Sequence, residues 1–230
     1  AKAVASGAEL ADTECSILLT ASGLLGRTQN FVPTEAGAKR KRHDGVANHI
    51  ETSTRTDIGF LTSTGRMLRI HAGDIPPVGD TFDPAAAVTA SEFLGLKGEE
   101  KLIGVFDLSS NSEIALATAQ GVIKRVAADW PNKEEFEVIT LKEGDRIIGA
   151  DLATDAVEYV MITSDAQLLR FDAAGVRATG RAAAGIAGIN LSDGSSVISF
   201  GAVTKADETQ VITAAKSEST LAGIDGGSLK

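Results

Sequence analysis

The sequence predicts an all-β protein made of about five repeated hairpin modules that are arranged like the blades of a propeller. Four stretches repeat one pattern, in which an apolar run ends in Thr, a turn follows, and a basic residue stands seven positions after the Thr. These stretches are spaced 42, 56 and 45 residues apart. Periods in this range are typical of propellers and solenoids, which stack small units instead of folding around one core.

The four complete copies pair a Thr with an Arg: Thr20 with Arg27, Thr62 with Arg69, Thr118 with Arg125, and Thr163 with Arg170. In the third copy Lys124 precedes the Arg, and a degraded fifth copy begins at Thr213 with Thr220 in the basic position. We predict one domain over residues 1–230, with approximate repeats at 10–57, 58–111, 112–156, 157–206 and 207–230.

Each repeat reads as β structure. Short apolar runs such as residues 58–62 and 159–163 lead into turn residues, which is the pattern of a hairpin. A further apolar run follows a charged turn in three repeats, so that each repeat holds three or four strands, as a propeller blade does. Helix is expected only in the connections.

Composition excludes several classes of protein. Aromatic residues make up only 4% of the chain, which argues against a binder that grips single strands by base stacking. The lone Cys15 excludes an internal disulfide and favours a reducing, cytoplasmic setting. No stretch approaches the roughly 18 apolar residues of a membrane span, so no membrane partner is expected. Because the chain starts without Met and its last repeat is incomplete, we expect a fragment of a longer polypeptide.

Positive charge is concentrated in two places although the net charge is −9. Residues 27–55 carry +3 and residues 157–206 carry 0, against −4 in each of the two segments between them. The first segment contains a basic run, and the second contains a loop, residues 177–188, with two arginines and no acid. Such clusters suit a polyanion, which is held by release of its counterions.

The repeated hairpin together with the Arg-x-x-Gly-Arg-x-x-x-Gly-Ile-x-Gly loop of residues 177–188 resembles the C-terminal domain of the A subunit of bacterial type IIA topoisomerases. The resemblance runs from about residue 10 to the end. It implies a β-pinwheel, a propeller-like disc whose blades exchange strands and whose rim binds and bends duplex DNA. It also implies a nucleoid-associated bacterial enzyme whose partners are an ATPase B subunit together with a second A subunit.

The first repeat favours the A subunit of topoisomerase IV over that of gyrase. The gyrase signature, Gln-x-x-Gly-Gly-x-Gly or close to it, has its matching slot at residues 38–45, which keep basic residues and Gly45 but lack the Gln and the Gly-Gly pair. We therefore expect partial bending that serves relaxation and decatenation. A gyrase-type wrapping domain is the alternative within the family.

The predicted DNA-binding surface consists of the hairpin cations, the basic run and the glycine-containing loop. Contacts of this kind position the phosphate backbone without reading bases, so binding should be mostly independent of sequence. Glycines in the loop would let main-chain amides approach phosphates closely. The predicted residues are Arg27, Lys39, Arg40, Lys41, Arg42, Arg69, Lys124, Arg125, Arg170, Arg177 and Arg181.

We predict no catalytic, cofactor-binding or metal-binding residue in this chain. The three histidines lack metal-ligand spacing, and Tyr159 lies in an apolar run where a core position is expected. By the resemblance, the transesterifying tyrosine and the metal and ATP chemistry belong to the rest of an ATP-dependent type II topoisomerase. Two alternatives stay open: the hairpin cations can be solvated edge charges, and the domain can be a protein-binding propeller scaffold.

Overall fold

A computed structural model describes residues 11–32 and 45–205. Within them lie one short helix, α1 (Ala90–Phe93), and 3₁₀ turns at Ala72–Asp74 and Ala173–Gly175. The strands are β1 (Glu14–Thr20), β2 (Leu24–Thr28), β3 (Val46–Ser53), β4 (Asp57–Thr62), β5 (Arg66–His71), β6 (Val88–Thr89), β7 (Leu102–Asp107), β8 (Glu113–Thr118), β9 (Val122–Val126), β10 (Glu135–Glu137), β11 (Ile147–Ala153), β12 (Val157–Thr163), β13 (Leu168–Asp172), β14 (Ala178–Thr179), β15 (Ile186–Ala187) and β16 (Val197–Thr204).

The strands form four small sheets that share one internal order. The hairpins β1–β2, β4–β5, β8–β9 and β12–β13 each supply two antiparallel strands. The third strand of the repeat, β3, β7, β11 or β16, pairs with the outer side of the first. The all-β, propeller-like prediction is confirmed, and the four sheets match four of the roughly five predicted modules. The predicted fifth, residues 207–230, lies outside the described residues.

Three of the sheets also receive strands from the following repeat. Strand β6 pairs with β2, β10 with β5, and β14 and β15 with β9. This exchange of strands between successive repeats is the pinwheel feature that the resemblance implied. Each of these sheets is completed by strands of the next repeat. One sequence repeat therefore contributes strands to two successive sheets.

A buried Thr at the end of the first strand explains why the same hairpin recurs. Thr20, Thr62, Thr118 and Thr163 are all buried, and each lies at a register shift between the first and third strands. In the first, third and fourth copies the Thr hydroxyl accepts a hydrogen bond from the amide four residues later, at 3.0–3.2 Å. A side-chain acceptor of this kind satisfies a donor that the turn leaves without a strand partner.

The hydrophobic core lies between successive sheets. One cluster joins Ile17 of the first sheet to Phe60 of the second, and another joins Met67 of the second to Leu116 of the third. The last joins the third sheet to the fourth, with Tyr159 at its centre. The predicted core position of Tyr159 is confirmed, since the residue is fully buried and its ring packs against Phe171. Successive sheets therefore pack against one another through shared apolar faces.

Candidate nucleic-acid interface

The repeated hairpin arginines are held mainly by cross-strand ion pairs. Arg69 pairs with Asp57, and its guanidinium also donates to the Pro131 carbonyl at 2.7 Å. Arg125 pairs with Glu113 on the neighbouring strand and with Asp155. In each case the strand-borne acid stands twelve positions before the arginine, which places the two side chains diagonally on one face of the hairpin.

The fourth hairpin repeats this arrangement, and the first departs from it. Arg170 donates from Nε to Glu158 at 2.6 Å, again across twelve positions. In the first hairpin Cys15 stands where the other three hairpins have the acid. Burial raises the pKa of the Cys15 thiol, and the charge of Arg27 opposes that shift. Arg27 instead donates to the Ile75 carbonyl at 3.3 Å. Three of the four hairpin arginines are thus largely neutralised by an acid of their own hairpin.

Lys124 lies inside the protein. Its side chain is 1% exposed, and Nζ donates to the carbonyls of Val138, Arg181 and Ala183 at 2.8, 2.8 and 2.6 Å. Burial lowers the pKa of this ammonium to about 8, which still leaves it mostly charged at pH 7. An ammonium has three donors, and all three are used. This burial argues against the predicted direct contact of Lys124 with DNA.

The arginine-containing loop of residues 177–188 lies on the outer edge of the third sheet. Strand β14 runs parallel to β9, and β15 returns antiparallel to it, so residues 180–185 form the bend between them. Gly185 has a φ of +83°, and a Cβ there would stand 2.7 Å from the Ile123 carbonyl oxygen. Only glycine therefore fits where the loop returns to the sheet.

The two loop arginines differ from the hairpin arginines because neither has a carboxylate partner within the described residues. Arg177 is exposed, with no side-chain hydrogen bond or ion pair to residues 11–32 or 45–205. Arg181 donates from Nε to the Asp129 carbonyl at 3.2 Å, and its guanidinium carbon lies 5.6 Å from the centre of the Phe136 ring. Both guanidinium groups thus keep donors that an anion could use.

The remaining predicted cations, Lys39, Arg40, Lys41 and Arg42, lie outside the described residues, so their role stays a prediction. The acids that neutralise the hairpin arginines were not among the residues predicted from the sequence. A signal for them was present, because Asp57, Glu113 and Glu158 recur at the same distance before their arginines.

Nothing in the described part of the chain forms a cluster of three or more His, Cys, Asp or Glu side chains suited to a metal ion. No helix in residues 11–32 and 45–205 has the length and apolar character needed to cross a bilayer. Burial raises the pKa of the Tyr159 hydroxyl to about 12.

Sequence comparisons relate the chain to gyrase. Residues 158–204 match the family described as the DNA gyrase C-terminal domain, beta-propeller. The A subunit of DNA gyrase from Staphylococcus epidermidis is 28% identical over 173 residues, which cover 74% of this chain and 19% of the relative. That of Staphylococcus aureus is 28% identical over 183 residues, covering 77% and 21%. The chain spans about a fifth of the length of these curated relatives.

Comparisons of structure relate the fold to both enzymes. The C-terminal domain of DNA topoisomerase IV superposes with a TM-score of 0.69 at 20% identity, over 85% of this chain and 63% of that one. The DNA gyrase A C-terminal domain gives 0.55 at 20% identity, over 83% and 65%. The E. coli ParC C-terminal domain gives 0.61 at 16% identity, over 84% and 80%. The chain is therefore similar, in sequence and in fold, to the C-terminal domain of the A subunits of type IIA topoisomerases.

Proposed function

We propose that this chain is a non-catalytic domain that binds and bends duplex DNA within the A subunit of a type IIA topoisomerase. The observation that carries the proposal is the loop over the third sheet, where Arg177 and Arg181 have no carboxylate partner within the described residues. Because three of the hairpin arginines are paired with acids and the two loop arginines are not, this loop is a defined cationic site for phosphates. The similarity to gyrase and topoisomerase IV domains supports DNA as the source of those phosphates.

The proposed mechanism is electrostatic positioning. Lys and Arg that neutralise phosphates release condensed counterions, and such contacts hold the duplex without reading its bases. The acidic remainder of the domain limits adhesion elsewhere. In the parent enzyme, which we propose to be cytoplasmic and to contain an ATPase B subunit together with a second A subunit, the domain would steer a DNA segment towards the catalytic part.

A duplex-binding measurement tests this function. The affinity of the 230-residue chain for linear duplexes of increasing length should fall steeply with salt, because phosphate contacts release counterions. Binding should be largely insensitive to base sequence. Absent or salt-independent binding would contradict the proposal and favour a protein-binding scaffold.

Within this function we propose partial bending of DNA, suited to relaxation and decatenation by a topoisomerase IV. Bending a site of about 20–30 base pairs by 40–90° costs of order 1–6 kcal/mol, which contacts along the rim must offset. Pairing of Arg69, Arg125 and Arg170 with carboxylates leaves that rim unevenly charged. The better superposition on the topoisomerase IV domain is consistent with this choice.

Full wrapping by the A subunit of a gyrase is the second candidate, and the gyrase relatives found by sequence favour it. Nicked circles ligated with and without the 230-residue chain distinguish the two. Partial bending predicts little change in linking number. A large, saturating shift of one sign would assign the domain to gyrase.

A further inference from the structure

The ammonium of Lys124 orders the loop that carries Arg181. Two of its three acceptors are the carbonyls of Arg181 and Ala183, which lie in the bend between β14 and β15. The intervening carbonyl, that of Ala182, accepts a hydrogen bond from the Thr140 hydroxyl at 3.0 Å. Three successive carbonyls of the bend are therefore bound by side chains of the third repeat.

The orientation of these carbonyls fixes where the amides point. The described peptide bonds are all trans, so the C=O and N–H of one peptide point in opposite directions. Since the carbonyls of Arg181 and Ala183 point at the Lys124 ammonium, the amides of Ala182 and Ala184 point away from it. Both alanines are exposed, and neither amide donates a hydrogen bond to any residue in the described ranges. The amide between them, that of Ala183, is used on the Gly180 carbonyl at 3.1 Å.

We propose that Lys124 builds a phosphate-binding site from main chain, in which the amides of Ala182 and Ala184, flanked by the Arg181 guanidinium, take one phosphodiester of a DNA duplex. Main-chain amides that point outwards are fixed partial positive charges, which attract an anion. Lys124 acts through the loop as a positioning residue and does not touch the ligand. The inference rests on the proposed function, because the phosphate belongs to DNA.

Two further features support this site. The Ala182 side chain leaves the main chain accessible in a groove of about 350 Å³, which Arg181 and the acidic Asp129 help to line. The ammonium is also peculiar to the third hairpin, since the positions that correspond to Lys124 in the other three hold Gly26, Leu68 and Leu169. The site is therefore a local device of this loop and not a property of every repeat.

Amide chemical shifts of the native chain test the site directly. The chain would be labelled with ¹⁵N-alanine and titrated with a short duplex of about one helical turn. The largest shifts should fall on the Ala182 and Ala184 amides, with Ala183 less affected because its hydrogen bond is internal. Duplex binding without shifts at Ala182 and Ala184 would overturn the site and leave the proposed function standing, whereas no duplex binding at all would contradict the proposed function.

Inorganic phosphate at the same phosphate concentration is the second arm of the titration. The proposal predicts a much weaker response, because a free ion lacks the neighbouring phosphates that the duplex presents to Arg177. An equal response would make this a site for a free anion and overturn its assignment to DNA.

The Lys124→Met variant removes the three donors while keeping a similar length. Affinity for the duplex should fall about tenfold, the loss expected for one hydrogen bond to a charged group. The log–log salt slope should change by less than half of the roughly 0.9 that one ionic contact contributes. A full loss of about 0.9 would mean that Lys124 itself meets a phosphate, and unchanged affinity would mean that the loop needs no ammonium.

The Thr140→Val variant is the matched control. It frees only the Ala182 carbonyl. The amide of that peptide belongs to Ala183 and is bonded internally, so the two proposed binding amides keep their orientation. Duplex affinity should therefore stay within about twofold of the native value, a smaller change than the loss of one net hydrogen bond would cause. A loss equal to that of Lys124→Met would show that general loosening of the loop, and not the ammonium, governs binding. Circular dichroism would establish that both variants fold. If Lys124→Met does not, the alanine shifts of the native chain decide the proposal.

Discussion

Arg170 donates from Nε to Glu158 at 2.6 Å, and the same twelve-residue relation joins Arg125 to Glu113 and Arg69 to Asp57. The sequence pattern suggests a row of free positive charge, but in three of the four hairpins the arginine is held in an ion pair. Ion pairs at a partly exposed surface contribute only about 0–1 kcal/mol to stability. They nevertheless reduce the field that the arginines present to an approaching polyanion.

Removing the acid should convert a paired hairpin arginine into a DNA contact. In Glu158→Gln, the Arg170 guanidinium loses its only carboxylate within the described residues. We expect tighter duplex binding and a log–log salt slope that is larger by about 0.9 if the released group meets one phosphate. Asp193→Asn is the matched control, because this substitution changes the net charge by the same amount. Asp193 is exposed and forms no ion pair among the described residues. An identical slope in the two variants would contradict this role for Glu158.

Acid stability should depend on Glu100. Arg66 donates to its two carboxylate oxygens at 3.0 and 2.6 Å and also contacts Glu135 on β10, which comes from the next repeat. The hydrogen bonds from Arg66 lower the pKa of Glu100 to about 2. A carboxylate with a lowered pKa stabilises the fold above its unfolded pKa of about 4.3, and that contribution is lost as the pH falls towards 2.

Glu100→Gln should therefore lower the free energy of unfolding by about 2 kcal/mol at pH 7, and by progressively less below pH 4. Urea unfolding across this pH range measures the difference. The neighbouring Glu99→Gln removes an exposed carboxylate with no ion pair in the described part of the chain, and should change stability by less than about 0.5 kcal/mol. A pH-independent difference for Glu100→Gln would exclude the carboxylate as its cause.

The turn of the fourth hairpin contains correctable backbone strain. Ala166 has a φ of 62°, where the other three turns have glycine, and a Cβ is unfavourable in this left-handed region. Ala166→Gly should raise the free energy of unfolding by about 0.5–1 kcal/mol, since relief of strain exceeds the added entropy of the unfolded chain.

Gly121→Ala, at the same position of the third hairpin, should have the opposite effect. Its φ is +82°, and the new Cβ would stand 2.8 Å from the Ile189 carbonyl oxygen, so we expect a loss of at least about 2 kcal/mol. Thermal unfolding of both variants measures the contrast. Destabilisation by Ala166→Gly would contradict the assignment of strain to that turn.

The hairpins could be predicted from the sequence because their determinants are local. A Thr at the strand end, a turn and a basic residue at a fixed spacing recur wherever the same hairpin forms, as at Thr20 and Thr118. The acids could have been found in the same way, because Glu113 and Glu158 also recur in register. Their omission left the charge of the hairpins overestimated.

The environment of Lys124 could not be predicted from its neighbours. Lys124 and Arg125 are adjacent on one strand, so their side chains point to opposite faces of the sheet. The local sequence Ile-Lys-Arg-Val does not determine which of these faces the next repeat covers. The carbonyls that enclose the ammonium belong to residues 14, 57 and 59 positions further along the chain. Strand exchange brings two of them there, and it depends on packing between whole repeats.

The salt dependence of duplex binding by Arg177→Ala/Arg181→Ala tests most directly the central claim, that the loop of residues 177–188 holds DNA. We predict weaker binding to all duplexes alike and a log–log slope reduced by about 1.8, because two ionic interactions with phosphates are removed. Lys133→Ala/Lys142→Ala removes the same charge from exposed positions in the acidic third repeat, and its slope should stay close to that of the native chain. Equal slopes in the two double variants would contradict the claim and place the DNA on another surface.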